Sequence, residues 1–216
     1  MQKGLRRLKH SQETTDMKKL LIYGAGGNGR VCADIAKLNG YEDVLFFDDD
    51  PSKNTEGKYR VIHSLDEMTD IEEYDFFNAI GSNKTREITT DKWNKELITL
   101  IHPSAVIGED VEIGKGVAIM ANVVINTGTR IGNGVIVNTY ASLDHDNIID
   151  DYAHISVNVH TAGTVHVGKR TFVGIGSTVS NNISICDDVV VGAGAVVVSN
   201  IEESGTYIGV PAKKKQ

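Results

Sequence analysis

Cysteine is nearly absent from this 216-residue chain: Cys32 and Cys186 stand far apart and outside any CxxC or Cys/His ligand spacing. That argues against a disulfide framework and against a zinc or other metal site, and it fits a reducing, cytoplasmic setting. No run of 18 apolar residues occurs, and residues 1–16 are polar and basic without an apolar stretch of signal-peptide type. Neither membrane insertion nor export is predicted. Excess positive charge is missing too. A net charge of -7 argues against nucleic acid as a partner, because binding a phosphate backbone rests on a basic face. The terminal Lys213, Lys214 and Lys215 could hold an anion, but a solvated charged tail accounts for them as well.

What the chain does have is a repeat. Written in sixes from Ala105, it runs AVIGED, VEIGKG, VAIMAN, VVINTG and onward in unbroken register to Asn200, which makes sixteen hexads. Position three is aliphatic in all of them but one, Thr161, and position one is mostly Ala, Val, Thr or Ser. A period of six fits neither an α-helix nor a meander of longer strands. It fits short strands joined by corners, three to a coil of a triangular prism. At ~4.8 Å per coil the column is roughly 25 Å tall.

The front half carries another pattern. A strand Lys19 to Tyr23, a Gly-rich turn, a helix Val31 to Leu38 and a strand Val44 to Phe47 predict a βαβ unit. A third strand at Phe76 to Ile80, a helix around Thr85 to Lys95 and a short strand at Leu97 to Ile101 follow, and His102-Pro103 breaks the pattern. The fold expected is therefore an N-terminal α/β Rossmann-like subdomain with a short parallel sheet over 17–102, then a parallel β-helix of hexapeptide repeats over 103–216. Residues 1–16 read as a disordered leader or an appended remnant.

Gly24, Gly26 and Gly29 form a GxGxxG turn between strand and helix, with Asn28 inside it, so the backbone can approach a phosphate at the helix N-terminus. Only about 85 residues precede the repeat, room for one mononucleotide-binding half, so a nucleotide or nucleotide sugar fits better than NAD. Asp48 and Asp49 end the second strand, and Gly81, Ser82 and Asn83 the third. Ligands of open α/β sheets collect at such ends, although a solvated acidic loop would also look like this.

One coil is 18 residues, so position n+18 lies above position n. His154, His160 and His166 are six apart and fall on different faces, which disfavours a shared metal within one chain. His10 and His63 sit in polar stretches. His145 stands between Asp144 and Asp146 at a corner, with Gly163 one coil later. A glycine there implies a gap beside the imidazole, and a carboxylate can orient the ring and stabilise its cation.

Together with the ending Gly209-Val210-Pro211-Ala212-Lys213, the hexads resemble the left-handed β-helix acyltransferases. YGAGGNG (23–29), FFDDD (46–50), YDFFNAIGSN (74–83), VVIN (123–126) and AHIS (153–156) extend the resemblance to nucleotide-amino-sugar N-acetyltransferases of the sialic-acid O-acetyltransferase-like family, on the branch acting on UDP-linked 4-amino sugars. The resemblance implies acetyl-CoA as cosubstrate, a nucleotide-linked amino sugar as acceptor, and a homotrimer with its active sites between subunits. It implies His145 as catalytic base with Asp146 as its acidic partner, where that branch usually has Glu. It places Asn138 near the acceptor, and His154, Gly163, Gly192, Ala193, Gly209 and Pro211 near the CoA. Asn28 stands where the branch has a histidine. A sugar O-acetyltransferase, a GDP- or dTDP-amino-sugar N-acetyltransferase, and a non-catalytic trimeric nucleotide-sugar scaffold remain alternatives.

Overall fold

The computed structural model describes residues 17–216; the leader expected over 1–16 lies outside the described residues. The first sheet is built from β1 (Lys19–Tyr23), β2 (Asp43–Phe47), β3 (Thr55–Glu56), β4 (Tyr59–Ile62) and β5 (Tyr74–Asn78), in the order β3-β4-β2-β1-β5. Its central pairings are parallel, and the edge pair β3–β4 is antiparallel. Helix α1 (Gly27–Leu38) packs Cys32, Ala33, Ile35 and Ala36 against Leu20, Ile22, Phe46 and Phe77. It starts four residues before the expected Val31, because the turn's last glycines already form its first turn, with the Arg30 N–H donating to the Gly26 carbonyl at 3.0 Å. Gly29 has no room for a side chain there: a Cβ would overlap the Gly24 carbonyl oxygen and come within 2.8 Å of Phe46. Gly29→Ala is expected to cost about 2 kcal/mol or more, measured as a lower midpoint in denaturant unfolding.

From Leu100 onward the chain forms a left-handed parallel β-helix with three sheets. Its first face carries Leu100–Ile101, Ala118–Ile119, Ile136–Val137, His154–Ile155, Phe172–Val173 and Val189–Val191; its second carries Val124–Ile125, Ser142–Leu143, His160–Thr161 and Val196–Val197; its third carries Arg130–Ile131, Ile148–Ile149, His166–Val167 and Ser184–Ile185. The short strand expected at 97–101 is divided: Leu97 bridges Phe76 in the first sheet, while Leu100–Ile101 pairs with Ala118–Ile119. From Ile119 to Val197 the position-three side chains point inward and are almost fully buried, each contributing about 1.5–3 kcal/mol. Thr161 joins them, its hydroxyl reaching the Ser142 carbonyl at 3.5 Å.

Position six turns every corner from Asp110 to Gly194 in the left-handed region, with φ near +60°. Gly tolerates this conformation, and Asn and Asp pay little for it, which explains why those three types fill most corners.

The two halves share a core. Ala118, Met120 and Ile136 of the first face pack into the cluster formed by α1 and the sheet. Helix α2 (Asn83–Trp93) is bolted to the corner between the third and first faces by Arg86, which is 1 % exposed. Its guanidinium donates to the carbonyls of Gly134 at 2.7 Å, Tyr152 at 2.8 Å, Ile80 at 2.9 Å and Gly81 at 3.2 Å, and to Asn83 Oδ1 at 3.0 Å. None of these acceptors is charged, and burial pushes the group down to about 10. Glu87 adds ion pairs to Lys169 and Arg170 of the same corner.

Candidate active site

The strand ends of the first sheet bring the Gly-rich turn and the Gly81 loop together. Asn28 Nδ2 donates to the Ala79 carbonyl at 2.9 Å, which ties the Gly-rich turn to the segment before Gly81, Ser82 and Asn83. Ser82 caps α2, its hydroxyl accepting from the Thr85 N–H at 3.4 Å, and Asn83 Nδ2 donates to the Arg170 carbonyl at 2.9 Å. Gly26 and Gly81 open onto free space, whereas Gly24, at φ +104°, lies against Ile80.

Both candidate carboxylates here are already engaged. Asp48 accepts from the Ala25 N–H at 2.9 Å, the Asp50 N–H at 3.0 Å and Lys53 Nζ at 2.9 Å. Burial works to raise its carboxyl, but these donors outweigh that and hold it below the usual range. Asp49 accepts from the Tyr23 hydroxyl. Beside them lies a cavity of about 300 Å³ lined by Tyr23, Phe47, Asp49, His63 and Trp93. His63, read from the sequence only as a residue of a polar stretch, and Trp93, which sits in no motif, meet here because β4 and α2 end near each other.

The second group lies on the corner between the second and third faces. His145 Nδ1 is 2.8 Å from Asp146 Oδ2, and the Asp144 carboxylate accepts from the His145 N–H at 2.9 Å and from Asn126 Nδ2 at 2.9 Å. The hydrogen bond to Asp146 raises the imidazole pKa above its ordinary value, helped by the charges of Asp144 and Asp146. Asp146 occupies a left-handed corner at φ 58°. Its carboxylate lies over Gly128, where a Cβ would come within 2.5 Å of Oδ1.

Gly163 stands directly above His145, as the 18-residue coil requires: Ser142 pairs with His160, and the Thr164 N–H donates to the His145 carbonyl at 2.9 Å. The space it leaves is not the empty gap expected. The imidazole itself fills it, since a Cβ on Gly163 would overlap Nε2 and Cε1. The glycine makes room for the catalytic candidate rather than for a ligand beside it.

A third group lies across the second face. Asn138, Gly192 and Ala193 follow the opposite corner, and the tail folds over its top, with the Val196 N–H donating to the Gly209 carbonyl at 3.1 Å and Pro211 one residue before Ala212, whose N–H returns to the Val196 carbonyl. Asn138 Nδ2 meets His154 Nε2 at 3.2 Å, with Oδ1 taken by the Thr139 N–H. His154 is 9 % exposed; burial, with the charge of Arg86 nearby, pushes it down to about 4, so it is neutral at pH 7. His154, His160 and His166 lie on three different faces, and His166 pairs with Asp150 at 2.7 Å.

The first and third groups adjoin in one chain, with Gly81 and Arg86 beside His154, but the His145 corner stands apart from both. The α/β unit sits on the first face, and the His145 corner is the edge opposite that face. The sequence also left Asn147 unremarked, although it is fully buried inside the His145 corner. The available signal was an asparagine at position one, where the flanking hexads have Ala141 and Ala153.

This fold and corner define a class. The chain belongs to the hexapeptide-repeat acetyltransferases that carry a PglD-type N-terminal domain. Residues 19–93 match the PglD N-terminal domain family. The chain superposes over 92% of its length on the acetyltransferase domain of PglB from Neisseria gonorrhoeae FA1090, covering 100% of that domain, at 34% identity and a TM-score of 0.86. That domain has also been solved with acetyl coenzyme A. A point mutant of perosamine N-acetyltransferase from Caulobacter crescentus, solved with CoA and GDP-perosamine, is 36% identical over 92% of this chain and 97% of its own, with a TM-score of 0.86. Among curated relatives, UDP-N-acetylbacillosamine N-acetyltransferase of Bacillus subtilis (strain 168) is 33% identical over 115 residues, 49% of this chain. The match spans about half of that relative, 52% of its length.

Proposed function

We propose that the protein transfers the acetyl group of acetyl-CoA to the 4-amino group of a UDP-linked 4-amino-4,6-dideoxy-N-acetylglucosamine, with His145 as general base. The observation that carries the reading is the His145–Asp146 pair held against Gly163. The neutral imidazole takes a proton as the sugar amine attacks the thioester carbonyl. A backbone N–H of the Gly163 turn faces the developing oxyanion. The C–S bond then breaks, the amide remains on the sugar, and the proton passes to the departing CoA thiolate. Transfer is direct: Cys32 is buried in α1 and Cys186 lies past the third-face strands, so neither thiol borders this corner.

The acceptor is held at the Gly-rich turn and the Gly81 loop, with Asn138 nearby, and CoA runs along the second face past His154, Gly163, Gly192, Ala193 and the tail at Gly209 and Pro211. The crevice and the base occupy opposite sides of the prism, so the acceptor held by one copy reaches His145 of another. This supports a homotrimer with its sites between subunits. Gly26→Trp, whose Cβ would meet nothing within 4 Å and whose ring is chosen to obstruct the crevice, and His145→Ala should each be inactive, and mixing and reassembling the two should restore activity. Mixtures as inactive as their parents would exclude a shared site.

A rising pKa makes the base scarcer in acid. Activity should fall as pH drops through the raised His145 pKa, above the ordinary histidine value, and Asp146→Asn should move that acid limb to lower pH while reducing kcat. The pH profile of kcat/KM reads both. The Caulobacter relative's complex with GDP-perosamine favours a second reading with a GDP-linked acceptor. CoA release from acetyl-CoA with UDP-, GDP- and dTDP-linked 4-amino sugars decides between them.

A further inference from the structure

Asn147 breaks the rule of its column. The residues at the same corner one coil below and above are Thr129 and Val165, and both are buried. Asn147 is buried to 0 % exposure, and its Oδ1 has no hydrogen-bond partner. An unsatisfied acceptor at a fully buried corner position is a standing cost, so something must be gained in exchange.

The gain is visible in its amide nitrogen. Nδ2 donates to the carbonyls of Asp144 at 2.6 Å, Ala162 at 3.0 Å and His145 at 3.3 Å. These carbonyls flank the imidazole in one coil and immediately precede Gly163 in the next. One side chain therefore ties the two halves of the His145–Gly163 contact together from inside the prism. Thr129 supports it, its hydroxyl donating to the Asp144 carbonyl at 3.0 Å and accepting from the Asn147 N–H at 3.3 Å.

We propose that Asn147 is the positioning residue of the catalytic imidazole, fixing the height of His145 against Gly163 without touching substrate. The assignment rests on the reading of His145 as the base. Most of the local bonding survives its loss: the Asp144 carbonyl keeps Thr129 as a donor and the His145 carbonyl keeps the Thr164 N–H, while only the Ala162 carbonyl gives up its donor.

The test is Asn147→Val, the type found one coil above. A purely structural asparagine predicts a loss of stability with kinetics otherwise intact. The positioning role predicts a catalytic loss out of proportion to any change in melting temperature: KM for acceptor and acetyl-CoA within about twofold, and kcat lower by about 10- to 100-fold, the scale of a misplaced reacting group. The NMR titration of His145 should also move toward an ordinary histidine, because the Asp146 contact loosens. Should the valine variant fail to fold, Asn147→Thr, copying Thr129, carries the same expectations. A stable variant with full kcat and an unmoved His145 titration would overturn the proposal. If His145→Ala retains full activity, the base assignment itself fails, and the imidazole titration in Asn147→Val still decides whether Asn147 holds the ring.

Discussion

His145→Ala is expected to lower kcat/KM for acetyl transfer by about 10²- to 10⁴-fold, the usual worth of a positioned general base. The loss should be chemical and not one of binding. His145 is a solvent-facing corner residue, with 53% of its side chain exposed, and its removal takes nothing from the prism core. The melting temperature should therefore hold, and acetyl-CoA should raise it by mass action for parent and variant alike. Thiol release at the parent rate would end the base assignment. A parent protein whose melting point ignores acetyl-CoA would favour a scaffold over an enzyme.

Gly163→Ala should come close to the same loss by adding one carbon. The new methyl would occupy the space of Nε2 and Cε1, and the ring must swing away from Asp146 to relieve the overlap. The corner itself can tolerate alanine, since Gly163 is not among the positive-φ positions, so stability should change by less than about 1 kcal/mol. A fall in kcat of about 100-fold is expected, because displacement by about an ångström has that effect on a reacting pair. Gly163→Ala with parental kcat would show that the imidazole works from another rotamer.

The prism was legible because its signal repeats. Every hexad supplies the same inward aliphatic residue, so local errors cannot shift the register, and the 18-residue coil placed Gly163 over His145 before any coordinates. The β3–β4 hairpin was not legible. It is short, lies at a sheet edge, and turns through Gly57 at φ +61° with little hydrophobic alternation. The contents of the His145 notch also escaped, since a missing Cβ tells where space exists and not which neighbour takes it. Asp48 shows the same limit. Its place at a strand end suggested a ligand contact, but only the fold reveals three donors from its own chain. Arg86 carries no motif signal in the sequence, and its burial follows from a docking that no local pattern encodes.

That bolt has a bearing on selectivity. A guanidinium locked among uncharged acceptors of both halves ties the α/β unit to the prism as one body. If the site is shared between copies as proposed, the span from crevice to base would then be fixed by assembly, and the enzyme would measure its acceptor like a caliper, favouring those whose amine lies the right number of bonds from the phosphates.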